Sequence, residues 1–220
     1  MTTSETYDAS KERIVELLRT AEPSTPVAAC PGWTVRDLTA HLAGGLADFV
    51  ASRFAVDEGD DFGERTVRER RGQTIDEALA EWDKNRATAD EALAGPMGGV
   101  LVAEIMSHEQ DLRQALDRPG ARDDPGLRTA LARPLQELDR KLNEGGGGAA
   151  VRLVIDGAEQ VVGTGEPVAT LTVSSYDLLR VVGGRRTRDQ VLALDWSGEP
   201  DRALPALTLF GGFRETPLNE

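Results

Sequence analysis

The sequence predicts an α+β chain of two domains, a helical bundle over residues 1–146 and a small α+β domain over 147–220. Three observations carry that expectation. Apolar residues recur at helical spacing as far as about residue 144, four glycines stand at 145 to 148, and beyond them the apolar residues come in short strand-like runs.

Ile14, Leu17 and Leu18 give a first amphipathic helix from about 5 to 21, stopped by Pro23 and Pro26. Thr34 opens the second and forms with Asp37 a T-x-x-D variant of the capping box, aimed by the PGW turn at 31 to 33. The run DEGDDFGERTVRERRGQ at 57 to 73 is too polar for a core and reads as a loop or a short helix. Ile75, Leu79 and Trp82 mark the inner side of a third helix from Thr74 to Leu93. GPMGG separates it from a fourth, which ends near Pro119 and Gly120, and PGLRTALARPLQELDRKLNE is a further helix, kinked or divided at Pro134. In the second domain VRLVIDG, EQVVG and ATLTVSS read as strands joined by DG and GTGEP turns. YDLLRVVGGR reads as a helix closed by glycine, VLALDWSG as a strand and DRALPALTLFG as a last helix.

The chain holds two histidines, and both occupy apolar helical stripes. Leu38, His41, Leu42, Gly45 and Phe49 share one face of the second helix, while Leu101, Glu104, His108, Leu112 and Ala115 share one face of the fourth. An ionised carboxylate buried without a partner is costly, so Glu104 must be protonated, paired with a cation or bound to a metal. Two helices packed about 8 to 10 Å apart can bring their inward side chains together, and bundle cores recurrently host such sites. Two imidazoles and one carboxylate leave coordination positions open, as in catalytic zinc or non-haem iron sites; the spacing does not choose between those metals. Asp111, three residues beyond His108, is placed either to hold that imidazole from behind or to face solvent.

Other signals are weaker. Cys30, the one cysteine, excludes an internal disulfide and a cysteine zinc cluster, and reads as a small core hydrophobe. HEQD at 108 to 111 is not H-E-x-x-H, so Glu109 is expected to face solvent. GGGG lacks the flanking strand and helix of a phosphate loop and serves as a linker. Arg185 and Arg186 in GGRR either clamp a carboxylate or cap the helix before them. A net charge of −13 repels nucleic acid. No run of 18 apolar residues spans a bilayer and MTTSETYDASKER lacks the marks of a signal peptide, so the expected location is the cytoplasm.

CPGWTVRDLTAHLAG, AEIMSHEQDLRQALDRPG and YDLLRVVGGR, in this order along essentially the whole chain, resemble the mycothiol-dependent maleylpyruvate isomerase family. The resemblance implies a DinB-like up-down metal-binding bundle followed by a sterol-carrier-like domain. It implies zinc, or another divalent metal, on His41, Glu104 and His108, with Asp111 at the family's trailing acid position and Arg185 as the arginine that the second domain contributes to catalysis. The activity implied is activation of a small thiol such as mycothiol for isomerisation of, or S-transfer to, a small electrophilic substrate. Two other readings remain: a non-catalytic metal-bearing module that binds a small ligand or partner protein, and a polar core network that has lost its metal.

Overall fold

Threonine side chains begin three of the N-terminal helices. Thr2, Thr34 and Thr74 each accept the amide of the residue three further on, while Glu5, Asp37 and Glu77 reach back to the cap amide. The computed structural model describes residues 1–54, 61–144 and 150–220, which form two units, Met1–Gly120 with Glu220 and Ala121–Asn219. The chain is α+β, with a helical N-terminal unit and a sheet in the C-terminal one.

The first unit contains α1 (Thr3–Leu18), α2 (Val35–Val50), α3 (Phe62–Glu69), α4 (Ile75–Arg86), α5 (Asp90–Ala94) and α6 (Gly98–Ala115). α1 packs on α6, and α2 packs on α3, α4 and α6. Its core is filled by Ile14, Leu38, Leu46, Leu93, Ile105, Met106 and Leu112, with Tyr7 and Trp82 pinned by a bond from Trp82 Nε1 to the Tyr7 hydroxyl at 2.8 Å. Burial pushes the Tyr7 phenol far above its ordinary range, so it stays protonated.

Two expectations about the helices fail in this unit. The helix expected from Thr74 to Leu93 is broken into α4 and α5, because the Thr88 hydroxyl donates to the Asn85 carbonyl at 3.1 Å and Ala87–Ala89 turn the chain. Glu109 does not face solvent: it is fully buried, held by Arg13 through two bonds of 2.8 Å, by Arg113 at 2.9 Å and by the Ser10 hydroxyl at 2.8 Å. α6 is buried on two sides, one toward α2 and one toward α1, so a single-stripe reading underestimates its contacts.

The entry to α6 is tight. A Cβ on Gly98 would lie 1.9 Å from the Leu93 carbonyl oxygen, so only glycine lets the end of α5 pass this close.

In the second unit, α7 (Gly126–Glu144) precedes β1 (Ala150–Ile155), β2 (Ala158–Val162), β3 (Pro167–Val173), α8 (Ser175–Val182), α9 (Arg188–Leu192), β4 (Asp195–Gly198) and α10 (Leu204–Leu207). The sheet order is β2-β1-β3-β4, with β1 and β3 parallel and both outer pairs antiparallel. Asp156, in the turn after β1, accepts the backbone amide of Ser175 at 3.0 Å and its hydroxyl, tying the first hairpin to the start of α8.

The division falls at Gly120/Ala121 and not at the 146/147 boundary expected from the glycine run. α7 belongs with the sheet, packing on α8, β2 and α10 and burying Leu127, Leu131, Pro134 and Leu138. Asp139 accepts the Gly163 amide at 2.8 Å and Lys141 donates to the Thr208 carbonyl at 3.0 Å. α7 runs unbroken through Pro134. The run VLALDWSG splits, since Thr187 and Gln190 form a capping box that draws Val191 and Leu192 into α9 and leaves only Asp195–Gly198 as strand. The last helix is four residues with Pro205 in its first turn, preceded by a 3₁₀ turn at Pro200–Arg202. The glycines at 145 to 148 and residues 57 to 60 of the polar run lie outside the described residues. Among the described residues no helix is long and apolar enough to cross a membrane.

Candidate metal centre

α2 and α6 bring His41, Glu104 and His108 together. One ligand atom from each lies within 4.8 Å of the others, His41 and His108 being buried and Glu104 half-buried. The imidazole rings stand nearly perpendicular, at 83°, with centroids 5.1 Å apart. Trp33, from the turn before α2, lies against His41 with centroids 4.9 Å apart, and its Nε1 donates to Glu64 at 2.8 Å.

The hydrogen bonds behind the rings fix where their protons sit. The Thr66 hydroxyl is 2.7 Å from the Gly63 carbonyl and donates its single proton there, so toward His41 Nδ1, at 2.8 Å, it acts as acceptor. Nδ1 of His41 therefore carries hydrogen. In a neutral imidazole that leaves a lone pair on Nε2, which faces Glu104 Oε1 at 2.9 Å. Two electron-rich atoms at this distance need a cation between them, either a proton or a metal ion. His108 is arranged in the same way: its Nδ1 lies 3.0 Å from Asp111 Oδ2, whose carboxylate is fully buried, so Nδ1 donates, and in a neutral imidazole Nε2 keeps the lone pair. Two imidazole lone pairs and a carboxylate form a donor set that fits zinc or a similar divalent ion with positions to spare.

α3, in the run read from sequence as a loop or short helix, supplies Thr66, which is fully buried and which sequence reasoning missed. The local signal was Asp61 followed by Glu64, a D-x-x-E start whose cap bond is present at 3.0 Å. Arg70 holds the far end of α3: it donates to the Thr66 carbonyl at 3.3 Å and makes a bidentate pair with Glu81 of α4. Its guanidinium fills the notch left by Gly44, where a Cβ would come within 2.6 Å of it. α2, α3 and α4 thus support one threonine behind one histidine.

Cys30 does not behave as a simple core hydrophobe. Half-buried, it directs its thiol to Asp111 Oδ2 at 3.6 Å, with Sγ 3.9 Å from His108 Nδ1. Arg185 lies in the second unit just past α8, where its guanidinium donates to the Gly183 carbonyl and its amide to the Arg180 carbonyl, the capping role. Arg186 reaches Asp177 at 3.4 Å and lies over the Tyr176 ring.

The positions of Thr66 and Asp111 carry a prediction. Thr66→Val and Asp111→Asn each leave the three candidate ligands in place but alter the group that sets an imidazole's proton, and if those three hold zinc each substitution is expected to weaken its affinity roughly 10- to 100-fold. Competition against a chromogenic chelator measures it; native affinity in both variants would remove these two residues from the site.

Two solved structures share the fold. The mycothiol-dependent maleylpyruvate isomerase matches at 15% identity with a TM-score of 0.53, and a histidine-to-alanine mutant under the same name matches at 16% with 0.58. Each alignment covers 90% of this chain and 92% of the other. No curated protein matches the chain in sequence. Residues 7–113, which carry the whole of the His41, Glu104 and His108 set together with Thr66 and Asp111, match the family described as the mycothiol maleylpyruvate isomerase N-terminal domain. Over these residues, just under half of its length, the chain is similar to that family.

Proposed function

We propose that the protein is a zinc-dependent enzyme that uses a low-molecular-weight thiol of the mycothiol type to isomerise, or transfer sulfur to, a small electrophilic substrate. The observation that carries this reading is the pair of imidazoles whose Nδ1 protons are committed to Thr66 and Asp111, so that both Nε2 lone pairs are available beside Glu104. His41, Glu104 and His108 would hold the metal, which when bound supplies the Lewis acidity that lowers a thiol's pKa and gives thiolate at neutral pH.

The remaining work falls to the chain. Thr66 and Asp111 keep each ring in one tautomer and one orientation, so no reorganisation is needed as ligand arrives. Trp33 lies tilted against His41, with centroids 4.9 Å apart, and packs beside the ring. The single cysteine is already engaged with Asp111, so the reacting thiol comes from a small molecule. In isomerisation the thiolate adds to an activated cis double bond, the resulting single bond rotates, and the thiolate leaves again; in S-transfer the adduct is released. A catalytic role for Arg185 rests on the family resemblance, and by its chemistry it would bind a substrate carboxylate. The cytoplasm, where thiols are kept reduced, is the compartment this reading requires.

The test is to incubate the zinc-loaded protein with mycothiol and maleylpyruvate, then with other unsaturated electrophilic acids, following loss of substrate and appearance of thiol adducts by mass spectrometry. Turnover that depends on both zinc and thiol is the expected result. Tight mycothiol binding with no turnover of any electrophile would overturn the enzyme in favour of a binding module.

A further inference from the structure

His108 belongs to two sets of metal-competent atoms. Besides the first, Cys30, His108 and Asp111 each place one ligand atom within 4.8 Å of the others, with His108 and Asp111 buried and Cys30 partly open to solvent. The spacing has the dimensions of a coordination polyhedron. With metal–ligand bonds of about 2.0 to 2.3 Å, the atoms around a tetrahedral zinc-like ion stand about 3.3 to 3.6 Å apart. Here Sγ–Oδ2 is 3.6 Å, Sγ–Nδ1 is 3.9 Å and Nδ1–Oδ2 is 3.0 Å, so shifts of a few tenths of an ångström would seat a cation among them.

The chemistry of the three atoms agrees with their spacing. A single carboxylate oxygen, Asp111 Oδ2, accepts from both the Cys30 thiol and the His108 imidazole, so two protons occupy the space that one divalent ion could take. A thiolate, an imidazole and a carboxylate form a softer set than two imidazoles and a carboxylate and select thiophilic ions.

We propose that Cys30, His108 and Asp111 form a second cation position, selective for thiophilic divalent ions such as cadmium. Binding there forms metal bonds to Sγ, Nδ1 and Oδ2. The thiol proton is released to solvent, and the Nδ1 proton of His108 moves to Nε2. A neutral imidazole has one lone pair, so a cation held this way withdraws His108 from the first set. The two positions compete for one residue, which makes Cys30 the point at which soft metal ions would interfere with the first centre. The proposal does not require the function argued above, since it uses the opposite nitrogen of His108 and neither His41 nor Glu104.

Cadmium titration of the metal-free protein, reduced with a non-thiol phosphine, tests it through the ultraviolet thiolate-to-cadmium charge-transfer band. Cys30 is the chain's only cysteine, so no other residue can produce that band. It is expected to saturate at a stoichiometric ratio, to vanish in Cys30→Ser, and to persist with unchanged affinity in His41→Ala, which disables only the first set. Asp111→Asn is expected to weaken cadmium at least 10-fold. Cadmium binding without the band, or a band that disappears in His41→Ala, would overturn the second position. Equal cadmium affinity in native protein and Cys30→Ser would overturn it as well, whatever the zinc content of either.

Discussion

Replacing His108 with alanine is expected to strip zinc from the protein. The substitution removes one of the three side chains proposed to hold the metal, leaving His41 and Glu104, and two ligands hold zinc poorly. The loss should exceed the 10- to 100-fold effect of altering a supporting group. It also takes away one of the donors to Asp111, a fully buried carboxylate, so a stability penalty of about 1 to 3 kcal/mol is expected alongside. Elemental analysis of untagged protein, native beside His108→Ala and His41→Ala, reads the first effect, and denaturant midpoints of the metal-free forms read the second. His41→Ala serves as the check on folding, because its neighbours Thr66 and Glu104 keep other roles and solvent access respectively. Zinc content unchanged in both variants would end the site assignment.

The second large effect lies outside the metal set. Glu109→Ala should destabilise the N-terminal unit by about 3 kcal/mol, toward the low end of what breaking a buried ion pair costs. The low end applies because the two guanidiniums that lose Glu109, Arg13 and Arg113, retain 26% and 14% exposure of their side chains and recover some hydration, and Arg113 keeps its bond to the Arg118 carbonyl. For a chain of this size that is a fall in melting temperature of roughly 6 to 12 °C. The physical cause can be separated from simple loss of volume. Replacing Arg13 and Arg113 with methionine and Glu109 with leucine removes all three charges at once and should return most of the stability. If that variant is no better than Glu109→Ala, the loss comes from packing and not from stranded charge.

The contrast between Glu109 and Glu104 shows what the sequence could and could not reveal. His41, Glu104 and His108 were legible because each is a polar residue standing where helical spacing calls for leucine. Glu109 sits one position past that stripe, and on a helix covered from one side it would face solvent. Its burial depends on α1 crossing α6, a tertiary fact with no local signature. Thr66 was hidden for the opposite reason. Its helix, α3, has eight residues and only Val67 as a buried apolar side chain, so no periodic stripe announces it. The α+β class and the four strands were readable from runs and turns, except where a capping box converted the start of the last strand to helix. The place where the chain divides was not. The glycines at 145 to 148 mark a change in local pattern, whereas the grouping of α7 with the sheet is set by which surfaces its leucines cover.

The close passage at Gly98 has a consequence for chemistry ten residues away. With the Leu93 carbonyl pressed against the first residue of α6, the rotational phase of that helix is indexed at its origin, as a dial is by its zero mark. Each residue advances the dial by about 100°. Glu104 and His108 stand at fixed counts from the mark, so a helix seated one step out would turn both away from His41 and present Ala103 and Ser107 in their stead. On this view the glycine sets the aim of the centre without touching it. A side chain added at position 98 is expected to force a shift between α5 and the start of α6, and any rotation of α6 would carry Glu104 and His108 with it.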